Sequence, residues 1–149
     1  MSTSECIQFW SVIITGIGVL VALGAIIWQS NLTRKQMKLN FFSEYTKRYQ
    51  EIMLNFPENI NEPDFSFVSL STESRKKTLR YMRAYFDLCS EEYYLSKTGD
   101  LDKKVWVEWE SGIKYAFSKK AFKDGWHLIK LDSQFYGDFV KWVNEEAIK

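Results

Sequence analysis

The longest uninterrupted apolar stretch runs from Phe9 to Trp28, twenty residues without a charged side chain. At the helical rise per residue it measures about 30 Å, the hydrocarbon thickness of a bilayer, so it predicts a membrane-spanning helix. Its small and polar residues form a series, Gln8, Ser11, Thr15, Gly18, Ala22, Ala25 and Gln29, at alternating steps of three and four. Such spacing draws one stripe down a helix, while Phe9, Ile13, Ile14, Ile17, Leu20, Val21 and Ile27 occupy the other faces. In lipid, packing and interhelical hydrogen bonds replace the hydrophobic effect, and a narrow lane of slender side chains lets helices approach closely. The stripe therefore predicts self-association, or a channel that it lines.

The three-four rhythm resumes in Leu39, Phe42, Thr46, Tyr49 and Met53, and neither proline nor glycine follows Gly24 before Pro57. The membrane helix is expected to run on without a linker, with a break at Asn31–Thr33 as the alternative, since Asn and Thr compete for helical hydrogen bonds. Pro57 and Pro63 bracket an irregular connection, residues 56–70, the best candidate for a mobile or partner-contacting loop. Ser71 or Thr72 then caps a helix to about Ser96, with Leu79, Met82, Phe86, Cys89 and Tyr93 inward, a second row at Tyr81, Tyr85 and Leu88, and Gly99 as its stop. Asp102 caps the next, stapled by Leu101 and Trp106 and buried along Val105, Trp109, Ile113 and Phe117. Phe122, Trp126 and Ile129 mark a short helix, and Asp132 or Ser133 opens a last one that buries Tyr136, Phe139, Val140 and Val143. The expected fold is all-α: a transmembrane helix with a short outer flank, residues 1–30, continuous with a small cytoplasmic bundle, residues 31–149.

Composition adds limits. At 149 residues and a net charge of +1 there is room for one ordinary domain, without the basic excess of a dedicated nucleic-acid binder. The 17% of aromatic residues excludes a disordered tail. Charge also orients the span: Arg34, Lys35 and Lys38 follow it, whereas the residues before it hold Glu5 and no Lys or Arg. The bulk of the chain is then expected in the cytoplasm and the N-terminus outside, in a single-pass inner-membrane arrangement. Ala22 and Gly24 resemble a signal-peptide cleavage pair, but the missing basic start argues against cleavage.

Candidate chemistry is sparse. The one histidine, His127, lies between Trp126 and Leu128 and reads as a structural residue. Cys89 falls on an apolar stripe; Cys6, at the outer membrane edge, is too far from it in sequence to suggest a disulfide framework. Cys89, Glu91 and Glu92 lack a further ligand at metal spacing, and the pair Asp100 and Asp102 suits a helix start. No phosphate-cradling glycine loop occurs. Neither catalytic, cofactor-binding nor metal-ligating residues are expected, and the protein is not expected to be an enzyme. The cluster Arg75, Lys76, Lys77, Arg80 and Arg83 is more informative, because cations in the opening turns of a helix oppose its dipole. Glu73, acidic residues such as Glu91 and Glu92 from a neighbouring copy, RNA phosphates or lipid headgroups would compensate; a plain solvated face is the alternative. Lys119, Lys120 and Lys123 form a weaker patch of the same kind.

The N-terminal span leading into an aromatic-rich helical domain, with the stretches Asp87–Tyr94 (DLCSEEYY) and Trp106–Ile113 (WVEWESGI), resembles a group of short bacterial membrane proteins linked to phage defence. Among these it is similar to the single-span accessory proteins of type VI-B CRISPR systems, which assemble into a ring-shaped membrane pore and strengthen defence by the RNA-guided nuclease. The resemblance implies that the stripe from Gln8 to Gln29 assembles or lines a pore, and that RNA or the nuclease complex is a partner. It departs from that family in lacking the degenerate Arg-to-His nuclease motif, having Lys120, Ala121 and Phe122 in the corresponding region. The function expected is a homo-oligomeric, pore-forming, membrane-depolarising effector in antiviral defence. The alternative is a membrane-tethered adaptor whose helical domain recruits a protein or RNA while the span only anchors it.

Overall fold

A computed structural model describes residues 3–148, apart from the side chains of Glu5 and Cys6; the expectation for Cys6 thus falls outside the described residues. These residues form an all-α protein, with no strand among them. The first helix, α1, spans Thr3–Met53 without a break, and Asn31 and Thr33 lie inside it. Thr33 avoids disrupting the helix by donating its hydroxyl to the Gln29 carbonyl, 2.9 Å away. The chain divides into two compact units, Met1–Thr46 and Lys47–Lys149.

In the second unit, α2 spans Thr72–Thr98, α3 Lys103–Ser118 and α4 Lys120–Ile129. The capping residues act as their types dictate. Ser71 accepts from the Ser74 amide, Asp102 accepts from the Lys104 amide, and Gly99 ends α2 in the left-handed conformation at φ 82°. A short helix, α5, spans Phe139–Trp142 and continues as a wider π turn over Val143–Ala147.

Aromatic side chains fill the space between these helices. Trp126 is fully buried and meets Phe86 of α2 and Phe117 of α3 edge-on, at ring-centroid distances of 5.2 and 5.7 Å. Phe139 of α5 closes the far side at 5.8 Å, and the indole N–H donates to Asn144 Oδ1 at 3.2 Å. Edge-to-face rings bury large areas and fix mutual orientation, which lets a small unit hold one arrangement. The fit is tight where α4 crosses α2: a methyl group on Gly125 would run into the Met82 sulfur. Overpacking of this kind costs about 1–3 kcal/mol, more than the roughly 1 kcal/mol by which alanine exceeds glycine in helix propensity. Gly125→Ala should therefore lower the thermal midpoint followed by circular dichroism; an unchanged midpoint would mean that Met82 repacks freely.

Two expectations need correction. The last helix begins at Phe139 rather than at Asp132 or Ser133, because Gly137 takes φ 52° and the Tyr136 amide donates to the buried Ser90 Oγ at 2.7 Å. That bond pins the chain to α2 in a non-helical path and leaves Tyr136 exposed, not buried. The connection over 56–70 is also no loose loop. Ile60, Phe65 and Phe67 turn inward, Phe56 packs edge-on against Phe122, and Lys120 Nζ donates to the Phe65 carbonyl at 3.2 Å. Burying three large apolar groups contributes part of the free energy that orders that segment.

Candidate functional site

The stretch of α1 that begins at Ile7 is long and apolar enough to cross a bilayer, and none of its most apolar window is buried. All seven stripe residues, Gln8, Ser11, Thr15, Gly18, Ala22, Ala25 and Gln29, are exposed. A straight helix drifts about 20° per heptad, so across the three heptads the stripe turns by roughly 60° and would bring neighbours together in a left-handed supercoil. Thr15 Oγ1 donates to the Ser11 carbonyl at 2.8 Å, which satisfies the hydroxyl's proton within its own helix and lowers the cost of placing it in lipid. Open space surrounds Gly16, Gly18 and Gly24: a methyl group added at any of them would meet no atom within 4 Å. Among the described residues, none lies close enough to these glycines to require a slender residue there.

Aromatic residues at the two ends of this stretch are a feature the stripe alone does not reveal. Phe9 and Trp10 form an edge-on pair at 6.4 Å near one end, and Trp28 is 71% exposed at the other. The eighteen residue steps from Trp10 to Trp28 rise by about 27 Å, close to the hydrocarbon thickness and the spacing of interfacial aromatic belts. Arg34, Lys35 and Lys38 follow beyond Trp28, all exposed.

On α2, Arg75, Lys76, Lys77 and Arg80 are exposed, whereas Arg83 holds Asp132 with contacts of 3.0 and 3.2 Å. Compensation by Glu91 and Glu92 of a neighbouring copy does not fit the geometry, because Glu91 is gripped by Arg48 of its own chain and Glu92 is buried. In the second patch, Lys120 pairs with Asp124 at 2.7 Å and Lys119 lies 4.3 Å from the Tyr115 ring centre. His127 is exposed in the last turn of α4, not enclosed in the core as a structural histidine. An open groove of about 580 Å³ is lined by Asp87, Glu91 and residues 134–137; burial raises the Asp87 carboxyl above its usual range, with Arg83 opposing and Glu91 adding. No protein family, curated protein or solved structure matches the chain. Among the described residues no group of three or more His, Cys, Asp or Glu is placed to hold a metal ion.

The most perturbed groups lie where the last two turns of α1 meet α2. Arg48 reaches Glu91 with contacts of 2.8 and 3.4 Å, and the Tyr49 ring stands 6.4 Å from that of Tyr85. Glu92 is 7% exposed; burial pushes its carboxyl up to about 8, with Arg48 pulling it down and Glu91 pushing it further up. Burial likewise raises Tyr85 and Cys89 well above their usual ranges. The sequence held a signal for this cluster: Glu92 lies three residues after Cys89 and four after Leu88, on the stripe that must face the core. Burial raises the Cys89 thiol and so disfavours a nucleophilic thiolate.

Proposed function

We propose that the protein is a homo-oligomeric membrane effector. Several copies meet in the bilayer along the stripe from Gln8 to Gln29, and the assembly opens a pore that dissipates the membrane potential. The observation that carries this reading is the exposed lane of small residues on a membrane-length helix, with open space around Gly18 among the described residues. The aromatic residues at both ends of the stretch support a spanning position. The basic flank at Arg34, Lys35 and Lys38 supports an inner-membrane, single-pass topology with the N-terminus outside and residues 31–149 in the cytoplasm. Depolarisation by a pore needs no catalytic residue, no metal and no cofactor, so the protein acts without enzymatic chemistry. A role in CRISPR-type antiviral defence, with RNA or an RNA-guided nuclease as cytoplasmic partner, rests on the resemblance to the type VI-B accessory proteins. Arg75, Lys76, Lys77 and Arg80 are the exposed cations that such an anionic partner would meet.

The test is a bulky substitution in the lane. Gly18→Leu and Ala22→Leu leave the single chain undisturbed by the geometry above, but they keep two backbones from approaching. Both variants should dissociate the detergent-solubilised complex, read as its mass, and abolish depolarisation read with a potential-sensitive dye. Full activity in both variants would replace the pore with the adaptor, whose span is only an anchor.

A further inference from the structure

Residues 47–53 lie in the second unit and are held against α2 by contacts of different kinds. Arg48 makes a two-point contact with Glu91, Tyr49 packs on Tyr85, and Ile52 is buried. Glu92 is enclosed in the same place. The titratable and charged groups near enough to act on its charge are Arg48 and Tyr49 from α1, and Glu91, Cys89 and Tyr85 from α2 itself. Of these only Arg48 is a cation, and its guanidinium is already engaged by Glu91. A neutral carboxyl suits such a place. An ionised one would add a second negative charge beside Glu91, away from water, with a single cation between two claimants.

We infer that Glu92 is a proton-operated latch on the foot of α1: protonated, it stays sealed beside the Arg48–Glu91 pair; ionised, it competes for Arg48, and residues 47–53 come away from α2. The direction follows from linkage. The enclosed carboxyl keeps its proton up to about pH 8, whereas an exposed one releases it near its ordinary value of 4.5. Opening therefore releases a proton across the interval between those values, so a rise in pH favours opening there by up to about tenfold per pH unit. Above about 8 both forms are ionised and the effect levels off. This latch does not depend on the pore: an anchor or a channel could carry it equally.

Amide hydrogen exchange of the full chain in detergent, corrected for the intrinsic base-catalysed rate, tests the latch. The opening constant of residues 47–53 should rise about 50-fold between about pH 6 and about pH 8, where the levelling-off has begun. Glu92→Gln should remove that dependence. Glu91→Gln, which removes the neighbouring negative charge that raises Glu92, should bring the levelling-off to a lower pH. A wild-type constant that ignores pH, a Glu92→Gln variant with the wild-type slope, or a Glu91→Gln variant that levels off where wild type does would each overturn the latch.

Discussion

Trp126→Ala is expected to cost about 3–5 kcal/mol, the range for removing a large ring from a packed core. The indole is fully buried and touches four other rings: Phe86, Phe117, Phe135 and Phe139. Truncation leaves a cavity that α2, α3 and α5 all border, and it removes the indole N–H bond to Asn144, whose exposed side chain turns to water instead. A domain of this size is stable by about 5–15 kcal/mol, so the substitution removes a large share or all of that margin. Trp126→Phe keeps most ring contacts and should cost markedly less. Denaturant unfolding by circular dichroism separates the cases, and a loss below about 1 kcal/mol for alanine would show that these rings are not tightly packed.

Glu92→Gln should stabilise the second unit at neutral and alkaline pH while changing it little below pH 5. The sign follows from the raised carboxyl. In the wild type, stability is fully present below the unfolded value near 4.5; it falls as pH rises towards the folded value of about 8 and then levels off. Between pH 4.5 and 7 the loss is about 3 kcal/mol, and the amide variant, having no proton to bind, avoids it. The comparison is the unfolding free energy of both proteins at about pH 5 and about pH 8. Burial raises Asp87 in the same sense, so a shallow slope of that sign should persist in the variant. Parallel pH profiles for wild type and variant would contradict the buried, proton-holding state of Glu92.

Local signals predicted the elements well where one residue type performs one task. Ser71, Gly99 and Asp102 cap as their chemistry requires, and the continuity of α1 follows from the absence of a breaker between Gly24 and Pro57. The start of the last helix was hidden because it depends on Ser90, forty-six residues away from Tyr136, and on the backbone angle of Gly137. The inward turn of Phe65 and Phe67 was hidden for a similar reason: two prolines suggest an open connection, and only the packed helices show where its rings go. For the candidate sites, the small-residue lane and the basic flank were legible as spacing. The Arg48–Glu91–Glu92 cluster was not, because it joins residues 43 and more positions apart. Only the misplaced acid on an apolar stripe marked it.

Burial sorts the tryptophans into classes that light distinguishes. Trp126 is sealed, while Trp10 and Trp28 stand open on α1 at opposite ends of the apolar stretch. A water-soluble collisional quencher cannot reach the first, and brominated acyl chains at graded depths would darken the other two in turn. In a bilayer, these residues would serve as intrinsic optical probes that report any immersion of α1 separately from the integrity of the aromatic core.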